Sequence, residues 1–138
     1  MTHDATPSII HSNPPELGTP PGYSQIVDIS ASRIIFISGQ TALDRDGNLV
    51  GKDDFAAQAA QVFRNLAAAL QARECNAASL VKLTVFLTDM GNLGSYREAR
   101  DRFFASVAPP AAPAVTLVEV SKLYGPDFMI EIEAIAAA

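Results

Sequence analysis

The feature that most constrains this chain is its C-terminal segment, where two strand-like stretches flank a turn signal. The stretches are 113–123 and 128–135, and both are rich in β-branched and aromatic residues. Tyr124-Gly125-Pro126-Asp127 separates them and carries residue types that favour a turn. The pattern predicts an antiparallel hairpin.

Side chains alternate between the two faces of a strand, and the two faces of this predicted hairpin differ in character. One face is apolar apart from a single threonine and predicts a core-facing surface: Val118, Val120, Phe128, Ile130, Ile132 and Ala134, with Thr116. The other face mixes apolar and acidic side chains: Val115, Leu117, Glu119, Met129, Glu131, Glu133 and Ile135. Such a mixed face is typical of a subunit interface with a wet pocket at its edge, and we expect the chemistry there.

The rest of the chain predicts a single domain, residues 23–138, that follows an N-terminal arm, residues 1–22. Five of the nine prolines lie in the arm, which therefore predicts neither helix nor strand. The further predicted strands are 24–30, 33–38 and 80–87, and the first two are close enough in sequence to form a hairpin. The predicted helices are 54–74, with an apolar stripe at spacings of three and four, and a second that a capping box opens at 95–98.

This order, β-β-α-β-α-β-β, predicts an α+β domain of two layers. Two helices cover only one face of one sheet, so the other face is left without a partner within the chain. Because an acidic and apolar sheet face is not stable in water alone, the sequence predicts a closed oligomer.

Composition excludes several classes of function. The net charge is −5 and the basic residues are dispersed, which argues against a nucleic-acid partner. No apolar run reaches about 18 residues and no signal-peptide pattern is present, so we expect neither a membrane span nor export. A single cysteine, Cys75, favours a cytoplasmic location, and with two histidines, both in the arm, it predicts no metal and no cofactor. Acid–base chemistry then falls to Glu, Asp, Tyr, Lys or a bound water.

Several motifs occur in the same order as in a known family. They are Gly22-Tyr23-Ser24-Gln25, Ile37-Ser38-Gly39-Gln40, the run 81–89 (VKLTVFLTD), the run 118–123 (VEVSKL) and the run 130–136 (IEIEAIA). On these motifs the chain resembles the Rid (reactive intermediate deaminase) family, also called YjgF or L-PSP, from about Gly22 to the C-terminus. The resemblance implies a chorismate-mutase-like homotrimer with a central barrel of sheets and three clefts between subunits that hold a small-molecule substrate.

The resemblance also implies an activity, with one departure. Family deaminases hydrolyse enamines and imines to a carbonyl compound and ammonia, and an arginine in a Pro-Ala-Arg motif clamps the substrate carboxylate. Here the motif reads Pro113-Ala114-Val115, and valine provides neither the charge nor the bidentate geometry of a guanidinium. The standard 2-imino acids are therefore not the expected substrates.

By the same resemblance, Glu131 is the candidate catalytic residue, placed near apolar Val115 and Leu117 where its pKa would rise. The candidate substrate-binding residues are Tyr23, Ser38, Gly39, Arg97, Val115 and Leu117. Arg97 stands where the family has a neutral amide, and either relocates the clamp or is a solvated surface residue. Two alternatives to a deaminase stay open: a non-enzymatic trimer that binds a small ligand on the same scaffold, and a ribonuclease, against which the acidic charge argues.

Overall fold

A computed structural model describes residues 7–138, which form an α+β domain. Its strands are β1 (Ser8–Ser12), β2 (Ile26–Ser30), β3 (Ile34–Gln40), β4 (Leu80–Leu87), β5 (Ala114–Glu119) and β6 (Ile130–Ala137). Its helices are α1 (Phe55–Ala72) and α2 (Leu93–Phe104), and short 3₁₀ turns lie between some of these elements. None of the helices in residues 7–138 combines the length and the apolar character needed to cross a bilayer.

The main sheet has four strands in the order β3-β6-β4-β5. Strand β6 runs antiparallel to both of its neighbours, whereas β4 and β5 are parallel. The predicted strand 80–87 forms as β4 and is central, since it pairs on both sides. Its nearly continuous apolar sequence fits that position, because a strand between two others is covered over most of its surface.

Neither predicted hairpin forms. Strand β6 lies between β3 and β4, and β5 pairs with β4 instead, so the two C-terminal segments are not neighbours. Strand β2 pairs with β1 and not with β3. The reason is that apolar alternation specifies which face of a strand is buried but not which strand lies beside it.

The N-terminal arm is more ordered than its prolines predicted. Ser8–Ser12 form β1, which pairs antiparallel with β2, so the prediction of an arm without strands is wrong for this part. The first six residues, with His3, lie outside the described residues. His11, on β1, is exposed.

Both helices pack on one face of the main sheet, as the sequence predicted. Helix α1 begins after Asp54, whose side chain accepts a hydrogen bond from the backbone N–H of Ala57. Val62 and Leu66, in the middle of its apolar stripe, are fully buried. Helix α2 begins at Leu93, so the expected capping box at 95–98 lies inside the helix and does not open it.

The sheet face away from the helices, called here the open face, can be traced from the strand registers. Phe86 on β4 pairs with Glu131 on β6 and with Val118 on β5, so all three side chains lie on this face. The open face consists of Phe36, Lys82, Thr84, Phe86, Thr116, Val118, Glu131, Glu133 and Ile135. The predicted faces are thus confirmed for β6 and inverted for β5.

Candidate functional site

Gly39 and Glu131 form the first part of the candidate site. The β3–β6 register is interrupted between Ile37 and Gln40, and pairing resumes at Gln40 opposite Ile132. The irregularity brings the Glu131 side chain against Gly39: a Cβ on this glycine would lie 2.8 Å from Cδ of Glu131 and 3.1 Å from its Cγ. Ordinary carbon–carbon contacts are about 3.5–4.0 Å. Only glycine therefore leaves room for the carboxylate in this position.

The environment of Glu131 favours its protonated form. Burial of the carboxyl group raises its pKa above the ordinary value, and the negative charge of neighbouring Glu133 raises it further. A carboxyl group with a raised pKa accepts and donates a proton more readily near neutral pH than a solvated one. Ser38 lies close by, in the wall of a depression of about 370 Å³ on the open face, which Lys82 and Glu133 also line.

A buried glutamine in α1 fixes the chain that leads into Glu131. Gln58 is fully buried. Its Nε2 donates to the carbonyl oxygens of Gly51 (3.1 Å) and Asp127 (2.8 Å), and its Oε1 accepts from the backbone N–H of Met129 (2.9 Å). The last two partners belong to the loop that enters β6. Gln58 thus couples α1 to the position of the catalytic candidate, and the sequence analysis did not single it out.

A cleft of about 230 Å³ between α2, β5 and the chain before β2 forms the second part of the site. It is lined by Tyr23, Leu93, Tyr96, Arg97, Arg100, Val115 and Leu117. Tyr23 is held here because the next residue, Ser24, donates its backbone N–H to the carbonyl of Pro113 at 3.0 Å and bridges to Ala114. The cleft therefore gathers four of the seven candidate residues.

Sequence reasoning missed two residues of this cleft, Tyr96 and Arg100. Neither residue is among the candidate residues named from the sequence. The signal was available, because Arg100 follows Arg97 by three residues and so shares its helix face. A charged residue on the side of a helix that otherwise packs into the core is rare unless a partner is present.

The two parts of the site are separated within one chain. Leu117 pairs with Val85, which also pairs with Ile132, so Val115 and Leu117 lie on the helix side of the sheet. Glu131 lies on the open face. The expectation that Glu131 is near Val115 and Leu117 is therefore wrong for a single chain. The cause is the position of β5, which pairs with β4 in parallel and not with β6.

Comparison with known proteins agrees with this architecture. The family model described as endoribonuclease L-PSP matches residues 16–138. The protein DfrA of Myxococcus xanthus is 36% identical over 116 residues, 84% of this chain and 85% of DfrA. The 2-iminobutanoate/2-iminopropanoate deaminase of Mus musculus is 34% identical over 90 residues, 65% of each chain.

A solved structure shares the fold across nearly the whole chain. The Rid-family protein YyfB of Yersinia pestis superposes with a TM-score of 0.83 at 29% identity, covering 96% of this chain and 98% of YyfB. The fold is thus that of a Rid-like α+β domain of the chorismate-mutase-like kind. The match of the family model over residues 16–138 makes the assignment specific: the chain belongs to the YjgF/L-PSP/Rid family.

Proposed function

We propose that this protein hydrolyses a small enamine or imine to a carbonyl compound and ammonia. The observation that carries the proposal is the Glu131 carboxyl group, which lies against Gly39 with its pKa raised by burial. The mouse relative is named as a deaminase of 2-iminobutanoate and 2-iminopropanoate, which supports the same reaction type here.

The reaction needs one group that moves a proton in both directions. Protonation of an enamine on carbon, or of an imine on nitrogen, by a proton from the solvent gives an iminium ion. The Glu131 carboxylate then takes a proton from water as the water oxygen bonds to the iminium carbon, and it passes that proton to the nitrogen of the carbinolamine. It next takes the proton of the new hydroxyl group as the carbon–nitrogen bond breaks, and it releases this proton to the solvent. The products are the carbonyl compound and ammonia, and Glu131 ends as the carboxylate with which it began.

The proposed site is assembled between copies of the chain in a homotrimer. Within one chain Glu131 and Gly39 are on the open side of the sheet and the Tyr23–Arg97 cleft is on the helix side, so a complete site needs a neighbouring copy. The open face supports such an assembly, since Phe36 on it is 75% exposed. An apolar side chain of that size on a face that also carries Val118 and Ile135 is typical of a surface that another subunit covers.

The proposed substrate differs from the standard 2-imino acids. Val115 lines the cleft at the position where the family's Pro-Ala-Arg motif has its arginine. A carboxylate placed directly beside the reacting carbon would find no guanidinium on β5. We therefore propose a substrate with a different separation between its reacting carbon and its polar group.

The test is a panel of imines generated in the reaction vessel. An amine oxidase acting on ω-amino acids of increasing chain length supplies imines whose carboxylate lies progressively farther from the reacting carbon. An amino-acid oxidase acting on alanine supplies 2-iminopropanoate for comparison, and semicarbazide competes for all of these imines. Formation of the carbonyl product is followed with and without the protein. Acceleration over buffer is expected for longer members of the series, with little for 2-iminopropanoate.

Glu131→Gln is the diagnostic variant, and Glu119→Gln is its matched control because Glu119 is an exposed acid that bonds the backbone N–H of Met90, outside the site. Loss of a general acid–base group lowers the rate by roughly 10²–10⁴-fold. No acceleration for any member of the panel would refute the deaminase proposal and favour the non-enzymatic ligand-binding trimer. Equal activity of the wild type and Glu131→Gln would remove Glu131 from the mechanism.

A further inference from the structure

Two arginines, one of them buried, lie in the cleft between α2 and β5. Arg97 and Arg100 both line it, three residues apart on α2. The volume of the cleft, about 230 Å³, suits a small ligand, since liquid water occupies about 30 Å³ per molecule.

Arg100 is the more unusual of the two. It is 5% exposed, and within residues 7–138 its one hydrogen-bonding partner is Asp101, whose Oδ1 accepts from Nε at 3.0 Å and lies 2.9 Å from Nη2 as an ion pair. One carboxylate oxygen therefore makes both contacts, and the side chain of Asp101 is itself 63% exposed. A solvated partner offsets the charge of a buried guanidinium only weakly, and a guanidinium has five N–H donors.

The chain before β2 packs directly on this guanidinium. Gly22 has a φ of +77°, and a Cβ on it would contact Nη2 of Arg100 and lie 3.0 Å from Cζ. A side chain at position 22 is thus disfavoured both by the backbone conformation and by the closeness of Arg100. This contact restricts the guanidinium to one place beside Tyr23.

Tyr96 contributes a donor without an acceptor. Its side chain is 1% exposed, and its hydroxyl has no hydrogen-bond partner in residues 7–138. The guanidinium carbon of Arg100 is 5.8 Å from the centre of its ring. Burial, partly opposed by the charge of Arg100, raises the pKa of Tyr96 to about 12, so the hydroxyl keeps its proton at neutral pH. A buried polar group without a partner destabilises a fold by about 1–3 kcal/mol.

These observations share one chemical requirement, an anionic acceptor. We propose that the cleft binds the carboxylate of the substrate through Arg100 and Arg97, with the Tyr96 hydroxyl as a third donor. The clamp then lies on α2 and not on β5, where Val115 stands. The identity of the reacting group rests on the proposed deaminase function, whereas the carboxylate site is defined by the cleft itself.

The experiment measures binding and not turnover. The probes are 2-oxobutanoate, its neutral analogue 2-oxobutanamide, and inorganic phosphate, titrated into the full chain by calorimetry. Hydrogen bonds to charged groups account for roughly tenfold or more in affinity. We expect 2-oxobutanoate to bind at least about tenfold more tightly than the amide. Phosphate that binds more tightly than 2-oxobutanoate would overturn the assignment to a carboxylate.

Four variants locate the anion. Arg100→Gln is expected to weaken 2-oxobutanoate binding by about tenfold or more, and Arg97→Gln by less, because Arg97 is exposed. Tyr96→Phe removes only the unpartnered hydroxyl, so it should weaken binding while leaving the melting temperature unchanged or higher. The control is Arg102→Gln, which removes the same charge from an exposed position of α2 outside this cleft and should leave binding unchanged.

Wild-type affinity in Arg100→Gln would overturn the proposal. If Arg100→Gln does not fold, the proposal is tested by Tyr96→Phe and by the preference of the wild type for 2-oxobutanoate over 2-oxobutanamide. Equal binding of these two compounds by the wild type would overturn the proposal. The two proposals fail separately. Arg100-dependent binding of 2-oxobutanoate without turnover of any imine refutes the deaminase function alone, whereas imine turnover without Arg100-dependent binding refutes the clamp alone.

Discussion

The contact between Gly39 and Glu131 allows the catalytic proposal to be tested without touching the carboxylate. In Gly39→Ala the new Cβ would lie 2.8 Å from Cδ of Glu131, about 0.7 Å short of an ordinary carbon–carbon contact. The β3–β6 pairing at Ile37 and at Gln40 holds the backbone on both sides of Gly39, so the Glu131 side chain moves. A displacement of about 1 Å at a reacting group lowers the rate by roughly 10²-fold. We expect kcat/KM to fall by roughly 30–100-fold on that basis.

The stability of this variant is expected to change little. Replacing glycine with alanine at a permitted backbone conformation stabilises a protein by about 0.4–1 kcal/mol through the unfolded state. A displaced side-chain rotamer costs about 0.5–1.5 kcal/mol. The two effects oppose each other, and the free energy of unfolding in urea should stay within about 1 kcal/mol of the wild type.

The assay is a double-mutant cycle with Glu131→Gln. If alanine at position 39 acts by displacing Glu131, it should have little further effect once the carboxylate is gone. Gly94→Ala is the matched control, because Gly94 is exposed on α2 and a Cβ there meets no atom within 4 Å. Unchanged turnover in Gly39→Ala, or an equal loss in the wild-type and Glu131→Gln backgrounds, would refute the reasoning.

Four further predictions follow from the same geometry. Phe36→Ser should dissociate the proposed trimer in sedimentation velocity, because burying phenylalanine contributes about 1.5–3 kcal/mol per chain, or roughly 5–9 kcal/mol per trimer; a wild-type association constant would show that the open face is not the interface. With increasing pH, kcat/KM should rise as Glu131 loses its proton at its raised pKa, and this rise should be absent in Glu131→Gln. The free energy of unfolding should fall over the same pH range, because the folded chain binds the Glu131 proton more tightly than the unfolded chain does. Gln58→Leu should lower the free energy of unfolding in urea by roughly 3 kcal/mol, because it removes three hydrogen bonds of a fully buried side chain, each worth about 1 kcal/mol; a loss below about 1 kcal/mol would contradict this. Val115→Arg should increase turnover of 2-iminobutanoate only when combined with Arg100→Gln, and a gain from the single change would argue against an occupied clamp on α2.

Local pattern predicted the elements of this fold and left their arrangement open. The limits of α1 and β4 follow from apolar periodicity and from Asp54 as a cap, and both are features of neighbouring residues. The pairing of β5 with β4 depends on contacts between residues about 30 positions apart, such as Leu83 with Val115. The alternation of apolar residues within one strand does not specify such contacts. One wrong neighbour was enough to put the side chains of β5 on the opposite face.

The sequence predicted some residues of the candidate site and missed others, again because contacts between distant residues are not visible in local sequence. The motif residues lie in two places within one chain, whereas the sequence placed Glu131 near Val115 and Leu117. Arg100 and Tyr96 were not predicted as site residues, because they belong to none of the family motifs. The burial of the Arg100 charge is also a property of the folded chain and not of the local sequence. The contact of Gly22 with Arg100 likewise joins residues 78 positions apart and has no trace in local sequence.

Val115 and Arg100 are best understood as one electrostatic arrangement. Two guanidinium groups about 5 Å apart repel each other by roughly 3 kcal/mol at an effective dielectric constant of about 20. The cleft already holds Arg97 and Arg100, and Asp101 offsets only part of that charge. An arginine at position 115 would add a third cation to a space of about 230 Å³. Because a buried charge without a partner is strongly destabilising, an apolar side chain on β5 is what a buried arginine on α2 requires. The valine therefore moves the anion site within the cleft and does not abolish it.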